Sequence, residues 1–372
     1  MIEIRGTGHI YRNPKPHLRA RHAWHPTLVV IDQNELIAAF DIGEAVESLD
    51  YRTYINRSHD GGQTWDVPVP MFPDNLIQHP TRRTTHIARP KRMSDGKLVA
   101  FIARFYRDDP EQGIWNPDTT GLVEMDLMVA RSTDDSSTWG QPQHISPPLV
   151  GQPFEVCHTI VELADGRWLA PVSCLRRWEG AAPNGLKVIG MVSADQGVTW
   201  SSYIDILDDS ANGVVHFEQS VVQLADECLL AVGWAFDERS GKTKAINYAV
   251  SQDGNTFSTP PRPTGLNGET SKLLALPDGR VVCVYRGIDP PGLCGTVVHL
   301  DGDEWRHDEP QVLWQGDRTT KMFGEATATE ELRSLKLGCP NLALLPDGDV
   351  LVAFWCHEDE VYNIRWVRLA VN

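Results

Sequence analysis

Apolar runs recur along the chain in pairs, and each pair brackets a short polar turn. The first copy is HPTLVVIDQNELIAAF from His25, followed by THIARPKRMSDGKLVAFIAR from Thr85 and CHTIVELADGRWLAPV from Cys157. The pattern returns as EQSVVQLADECLLAVGWAF from Glu218, TSKLLALPDGRVVCVYRG from Thr270 and CPNLALLPDGDVLVAFW from Cys339. The six copies lie about sixty residues apart, a spacing that marks a repeat architecture. Val and Leu dominate the runs, and several turns carry Asp-Gly, which supplies the positive φ of a tight hairpin. A third strand follows in RTYINR, DLMVAR and KVIGMV.

A second phrase closes this third strand. It reads SHDGGQTW at Ser58, STDDSSTW at Ser132, SADQGVTW at Ser193 and SQDGNTF at Ser251, with a degenerate DGDEW at Asp301. Asp folding back on its own turn, with an aromatic packing behind it, gives this phrase a structural role. A fourth strand then completes each unit. Four antiparallel strands repeated radially predict an all-β, six-bladed β-propeller over residues 1–372, read as one domain. The sixth unit lacks its fourth strand, and IEIRGTGHIY at the N-terminus is expected to supply it and close the ring. The one helix expected is a short segment, TATEELRSLKL from Thr327, with Thr329 as N-cap.

Composition narrows the function classes. Fifty acidic against 34 basic residues give a formal net charge of -16, which argues against a nucleic-acid partner. No secretory leader or membrane-length apolar stretch is seen, so a cytoplasmic location without membrane association is expected. Seven scattered cysteines without a CxxC pair read as reduced thiols. A homo-oligomer is compatible with the long loops at 104–126 and 316–338.

The repeated S-x-D-x-G-x-T-W phrase resembles the Asp-box, or BNR repeat, of the sialidase-like propellers, and the resemblance covers the whole chain. It implies a glycosidase site on the face opposite the Asp-boxes, with three arginines on a substrate carboxylate, a Tyr–Glu nucleophile and an Asp acid/base. Glu218 fits the partner Glu. Where the family has its first Arg, in an F-R-I-P phrase, this chain has Trp24 in A-W-H-P. No Arg stands in VGWAFDE, and no Tyr in LGCPNL.

Inner-strand starts and the ends of second strands should face the site. The candidate catalytic carboxylates are Glu218, Asp41, Glu155 and Glu269, suited to protonating a leaving oxygen and activating a nucleophile. Arg89, Arg104 and Arg286 are candidate anion binders. His25, His86 and His158 are candidate polar pocket residues, and Trp24, Tyr106 and Trp178 candidate substrate contacts. No cofactor is expected; a metal held by a ring of His25, His86, His158 and His216 is the less favoured alternative. The leading expectation is a glycoside hydrolase acting on a small acidic sugar or oligosaccharide. A uronate lyase or a non-catalytic carbohydrate-binding propeller are the alternatives.

Overall fold

The computed structural model describes residues 1–316 and 336–372. Six antiparallel sheets of four or five strands follow one another along the chain, as the repeat predicts. The first blade comprises His22–Val30, Leu36–Gly43, Arg52–Ser58 and Val69–Pro70, each paired with the next. In the third blade the inner strand is broken into Phe154–Glu155 and Val161–Glu162. The expected closure is present: Ile2–Tyr11 pairs antiparallel with Val361–Val371, completing the sixth blade. The terminal residues are bonded too, Met1 N to Asn372 O at 2.8 Å and Asn372 N to Met1 O at 3.0 Å. The helix expected from Thr327 falls largely outside the described residues. One short helix that periodicity did not reveal, Asp74–Ile77, leads from the first blade into the second.

Second strands are flanked by neighbouring strands and blades, so they read as continuous apolar runs. Every residue of Leu36–Gly43 is buried, as is Val350–Cys356. Between the first two blades Ile37, Ala39, Phe72, Ala88, Ile102 and Trp139 share one core. Each large side chain so buried stabilises by about 1.5–3 kcal/mol.

The Asp-boxes do the structural work expected of them. Asp60 accepts from Ser58 Oγ (2.9 Å), Gln63 N (2.9 Å) and Thr64 N (2.9 Å), and from Thr64 Oγ1 at 2.6 Å. Asp134 and Asp195 repeat the Thr contacts at 2.6–2.9 Å, and Asp253 accepts from Asn255 N and Thr256 N. Gly61 N donates to Asn34 O at 2.8 Å, so the box and the first hairpin turn lie on the same face. The candidate site residues stand at the other ends of these strands.

Candidate active site

Four inner strands are interrupted at the same place. Pairing slips between Trp24 and Thr27, Phe217 and Ser220, Glu269 and Lys272, and Gly338 and Asn341. Within each slip one non-glycine residue is left-handed: His25 (φ 50°), Glu218 (50°), Thr270 (44°) and Cys339 (44°). Such backbone costs of order 1–3 kcal/mol per residue and persists only where its surroundings fix it. Pro26 and Pro340 follow two of these residues; a bulge tolerates a residue without an N–H donor. The bulges turn His25, Glu218, Thr270 and Cys339 into a ring around the propeller axis.

Side chains beyond the ring staple blade to blade. Leu28 N donates to Asn341 Oδ1 (2.8 Å), Leu273 N to Ser220 Oγ (3.0 Å) and Val221 N to His158 Nε2 (3.3 Å). An axial cavity of about 820 Å³ runs from His25, Arg89, Cys157, Thr270 and Cys339 towards the hairpin turn at Ser94 and Gly96. The candidate carboxylates stand at or before the bulges, towards the strand starts.

Asp41 lies opposite Trp24 on the second strand of the first blade and has no exposed surface. Thr53 Oγ1 donates to it at 2.6 Å, Arg89 Nη1 reaches it at 3.2 Å and His25 Nδ1 lies 3.4 Å away. Burial disfavours its charge, but Arg89, His25 and Thr53 outweigh this and hold its pKa below the ordinary value. Asp41 is thus a buried carboxylate charge-paired with Arg89 and His25. His25 Nδ1 also lies 2.8 Å from Tyr51 Oη. Burial pulls the imidazole down, yet the Cys339 sulfur and the Asp41 carboxylate raise its pKa to about 9.

A second group sits across the axis. The backbone N–H of Glu218 donates to Glu155 Oε2 at 2.8 Å. Burial, then the neighbouring Glu218 charge, raise the Glu155 carboxyl above its usual range. The Cys339 thiol donates to Glu218 Oε1 at 3.5 Å, while Glu218 Oε2 is buried without a partner. Lys272 Nζ donates to Glu218 O (3.2 Å) and Gln219 O (2.6 Å), bringing a cation beneath the pair. Glu269 forms a buried ion pair with Arg286 Nη2 at 2.5 Å and accepts from Thr243 Oγ1 at 3.0 Å. Arg286 keeps a buried Nε–H without a partner. Gly338 makes room for it: a Cβ there would come within 2.7 Å of Arg286 Nη1.

The structure thus brings His25, Asp41, Arg89, Glu155, Glu218, Glu269 and Arg286 to the blade ends around the axis. It places the other candidates elsewhere. Trp24 is buried, stacked on Tyr362 (4.0 Å) and against Trp355 (4.5 Å), and offers no free ring face. His86 is buried against Phe72 with neither nitrogen bonded, and burial lowers its pKa to about 3. His158 lines the cavity, but one nitrogen is spent on the Val221 staple and Nδ1 meets Thr159 O at 2.7 Å; burial and Lys272 lower its pKa to about 3. His216 pairs with Asn247 Nδ2 at 3.1 Å. The four histidines therefore do not converge, and among the described residues no three His, Cys, Asp or Glu side chains are grouped to hold a metal.

Arg104 and Tyr106 both bind Asp126, at 2.5 and 2.7 Å, and line a separate open cavity of about 650 Å³ with His79 and His144. One face of the Tyr106 ring is covered by the Arg82 guanidinium, 3.7 Å from its centroid. Trp178 is half-buried in the third-blade loop, its carbonyl held by Asn116 and Thr119. Tyr51, Lys272 and Cys339 join the axial site without having been anticipated. For Cys339 the usable signal was the Cys-Pro step, in register with His25-Pro26 of the first copy.

The family model for the BNR repeat-like domain matches residues 81–352. No curated protein matches the chain. Among solved structures, a Dyadobacter fermentans protein of unknown function superposes with a TM-score of 0.74 at 21% identity, over 100% of this chain and 99% of that one. The Ruminococcus gnavus intramolecular trans-sialidase, in complex with oseltamivir carboxylate, is similar at TM-score 0.62 and 13% identity, over 94% of each chain. A mutant NanB sialidase from Streptococcus pneumoniae gives TM-score 0.62 and 11% identity, over 97% of this chain and 70% of that one. The matched repeat, the six blades and the Asp-box turns together place this chain in the BNR repeat-like family, with a sialidase-like propeller fold.

Proposed function

We propose that the protein is a glycoside hydrolase acting on a small acidic sugar or oligosaccharide at the axial end of the blades. The observation that carries this reading is the Glu155–Glu218 pair. Glu155 accepts the Glu218 amide at 2.8 Å, and the neighbouring Glu218 charge adds to burial in raising the Glu155 carboxyl. Glu155, raised by burial and by its neighbour, is the proton donor to the leaving glycosidic oxygen. Glu218, with Oε2 unpartnered, takes the proton of the attacking nucleophile. Arg286, with a spare Nε–H, and Arg89, whose three hydrogen bonds all leave from Nη1, are the groups to meet a substrate carboxylate. The sialidases among the structural neighbours support a carbohydrate substrate.

The lyase reading needs a neutral base, and a His25 held charged up to about pH 9 is poorly suited to that task. The test is mass spectrometry of products from a panel of acidic and neutral oligosaccharides. Cleavage with gain of one water supports the hydrolase. An unsaturated product establishes the lyase instead, and no cleavage across the panel favours a binding propeller.

A further inference from the structure

Cys339 and Cys157 stand apart from the other five cysteines. None of the seven is paired, and Cys174, Cys228, Cys283, Cys294 and Cys356 are buried. Cys157 and Cys339 are both half-buried and line the axial cavity, but of the two only Cys339 sits in left-handed backbone at a bulge. Two polar side chains from two other blades reach its sulfur. Glu218 Oε1 lies at 3.5 Å and Thr270 Oγ1 at 3.8 Å. His25, at the matching bulge of the first blade, lines the same cavity, with its Nδ1 turned to Asp41 and Tyr51. A thiol hydrogen-bonded to one carboxylate, beside an imidazole held by a second, makes a nucleophile with its activating groups. A thiol that merely fills a core is surrounded by apolar atoms, as Cys283 is.

We propose that Cys339 is the covalent nucleophile of this site, positioned by Glu218 and Thr270 and activated by the His25–Asp41 pair. The proposal rests on the glycosidase reading for its substrate. In the first step the Cys339 sulfur bonds to the anomeric carbon as the glycosidic C–O bond breaks. The thiol proton passes to Glu218, and the Glu155 proton passes to the leaving oxygen. In the second step water bonds to the anomeric carbon and the C–S bond breaks. The water proton returns to Glu155 and the Glu218 proton to sulfur, so one water is consumed and every group is restored. His25 remains protonated throughout and faces the charge that develops on sulfur.

The experiment compares iodoacetamide labelling at pH 7 of all seven cysteines in the folded protein, read by peptide mass spectrometry. The other thiols serve as internal standards. Cys339 is expected to react first, and His25→Gln to slow it by about tenfold or more. Because His25 is packed, Asp41→Asn gives a second route to the same loss, and melting curves show that each variant is folded. Cys339→Ala is then assayed on the oligosaccharide panel and is expected to lose turnover. Labelling of Cys339 no faster than the other thiols, or unchanged in both folded variants, overturns the proposal. So does full turnover by Cys339→Ala, which would leave the glycosidase reading standing. Fast, His25-dependent labelling in a protein that cleaves nothing on the panel supports the activated thiol and removes the glycosidic carbon as its target.

Discussion

The backbone N–H of Glu218 donates to the carboxylate of Glu155 across the boundary between the third and fourth blades, at 2.8 Å. The bond exists because Glu218 occupies a left-handed bulge that turns its amide out of the sheet ladder. It sets the Glu155 carboxyl beside Glu218, whose charge adds to burial in raising it. Glu155→Gln and Glu218→Gln are each expected to lower turnover by about 10²–10⁴-fold while leaving the melting temperature near that of the parent. Steady-state kinetics beside a thermal melt checks both. Unchanged turnover in either variant removes that residue from the mechanism.

The raised Glu155 carboxyl also sets a pH dependence. Its acid form is the active one, so activity falls as pH rises through a value above the ordinary glutamate range of about 4.3. A kcat/KM profile should show this alkaline limb, and residual activity of Glu155→Gln should lack it. An identical limb in the variant would assign it to another group.

His25 gives a stability signature with the opposite sense from most carboxylates. Its folded-state value, about 9, lies above the ordinary histidine value of about 6.5. The stabilisation is therefore full below about pH 6.5 and is lost as pH rises through about 9. The melting temperature should fall across that window in the parent and less in His25→Gln. Imidazole NMR should place the His25 midpoint near 9, and lower in Asp41→Asn.

The Asp-boxes behave the other way. Hydrogen bonds from Thr138 hold Asp134 at about 2, those from Thr199 hold Asp195 at about 2, and those from Asn255 and Thr256 do the same for Asp253. Their contribution is present above the ordinary aspartate value of about 3.9 and is lost as pH falls towards 2. Asp195→Asn should melt lower than the parent at pH 7, with the difference shrinking between pH 4 and 2. Kinetics at pH 7 should be untouched, since the box lies at the far ends of the strands from the carboxylates.

Gly338 is a steric test of the Arg286 clamp. Alanine there would meet Arg286 Nη1 at 2.7 Å and Trp355 Cζ2 at 2.9 Å. Gly338→Ala should destabilise by about 1–3 kcal/mol through overpacking and raise KM more than it lowers kcat. A KM equal to that of the parent would separate Arg286 from substrate binding.

The sequence by itself determined the architecture. Paired apolar runs, Asp-Gly turns and Asp-boxes are local signals, each legible within a few residues. Sixfold repetition of the paired runs named the propeller, and the missing strand of the last unit foretold the pairing of Ile2–Tyr11 with Val361–Val371. Which end of the blades carries charge was legible for the same reason, because side-chain alternation and strand direction follow from order along the chain.

What only the tertiary structure decided was which of those charged groups meet. Trp24 and His25 are neighbours in sequence, yet one packs on Tyr362 and Trp355 while the other turns to the axis. His86 and Arg89 share a strand, but His86 goes between blades and Arg89 reaches Asp41. The second-blade strand pairs without a break, so alternation alone parts His86 from Arg89; in the first, fourth, fifth and sixth blades bulges break the alternation, and a shift of one residue moves a side chain to the other face. The contacts at the axis, Cys339 to Glu218 and Asp41 to Arg89, join residues 121 and 48 positions apart. No local pattern encodes such a distance. It is fixed by closing six sheets around one axis.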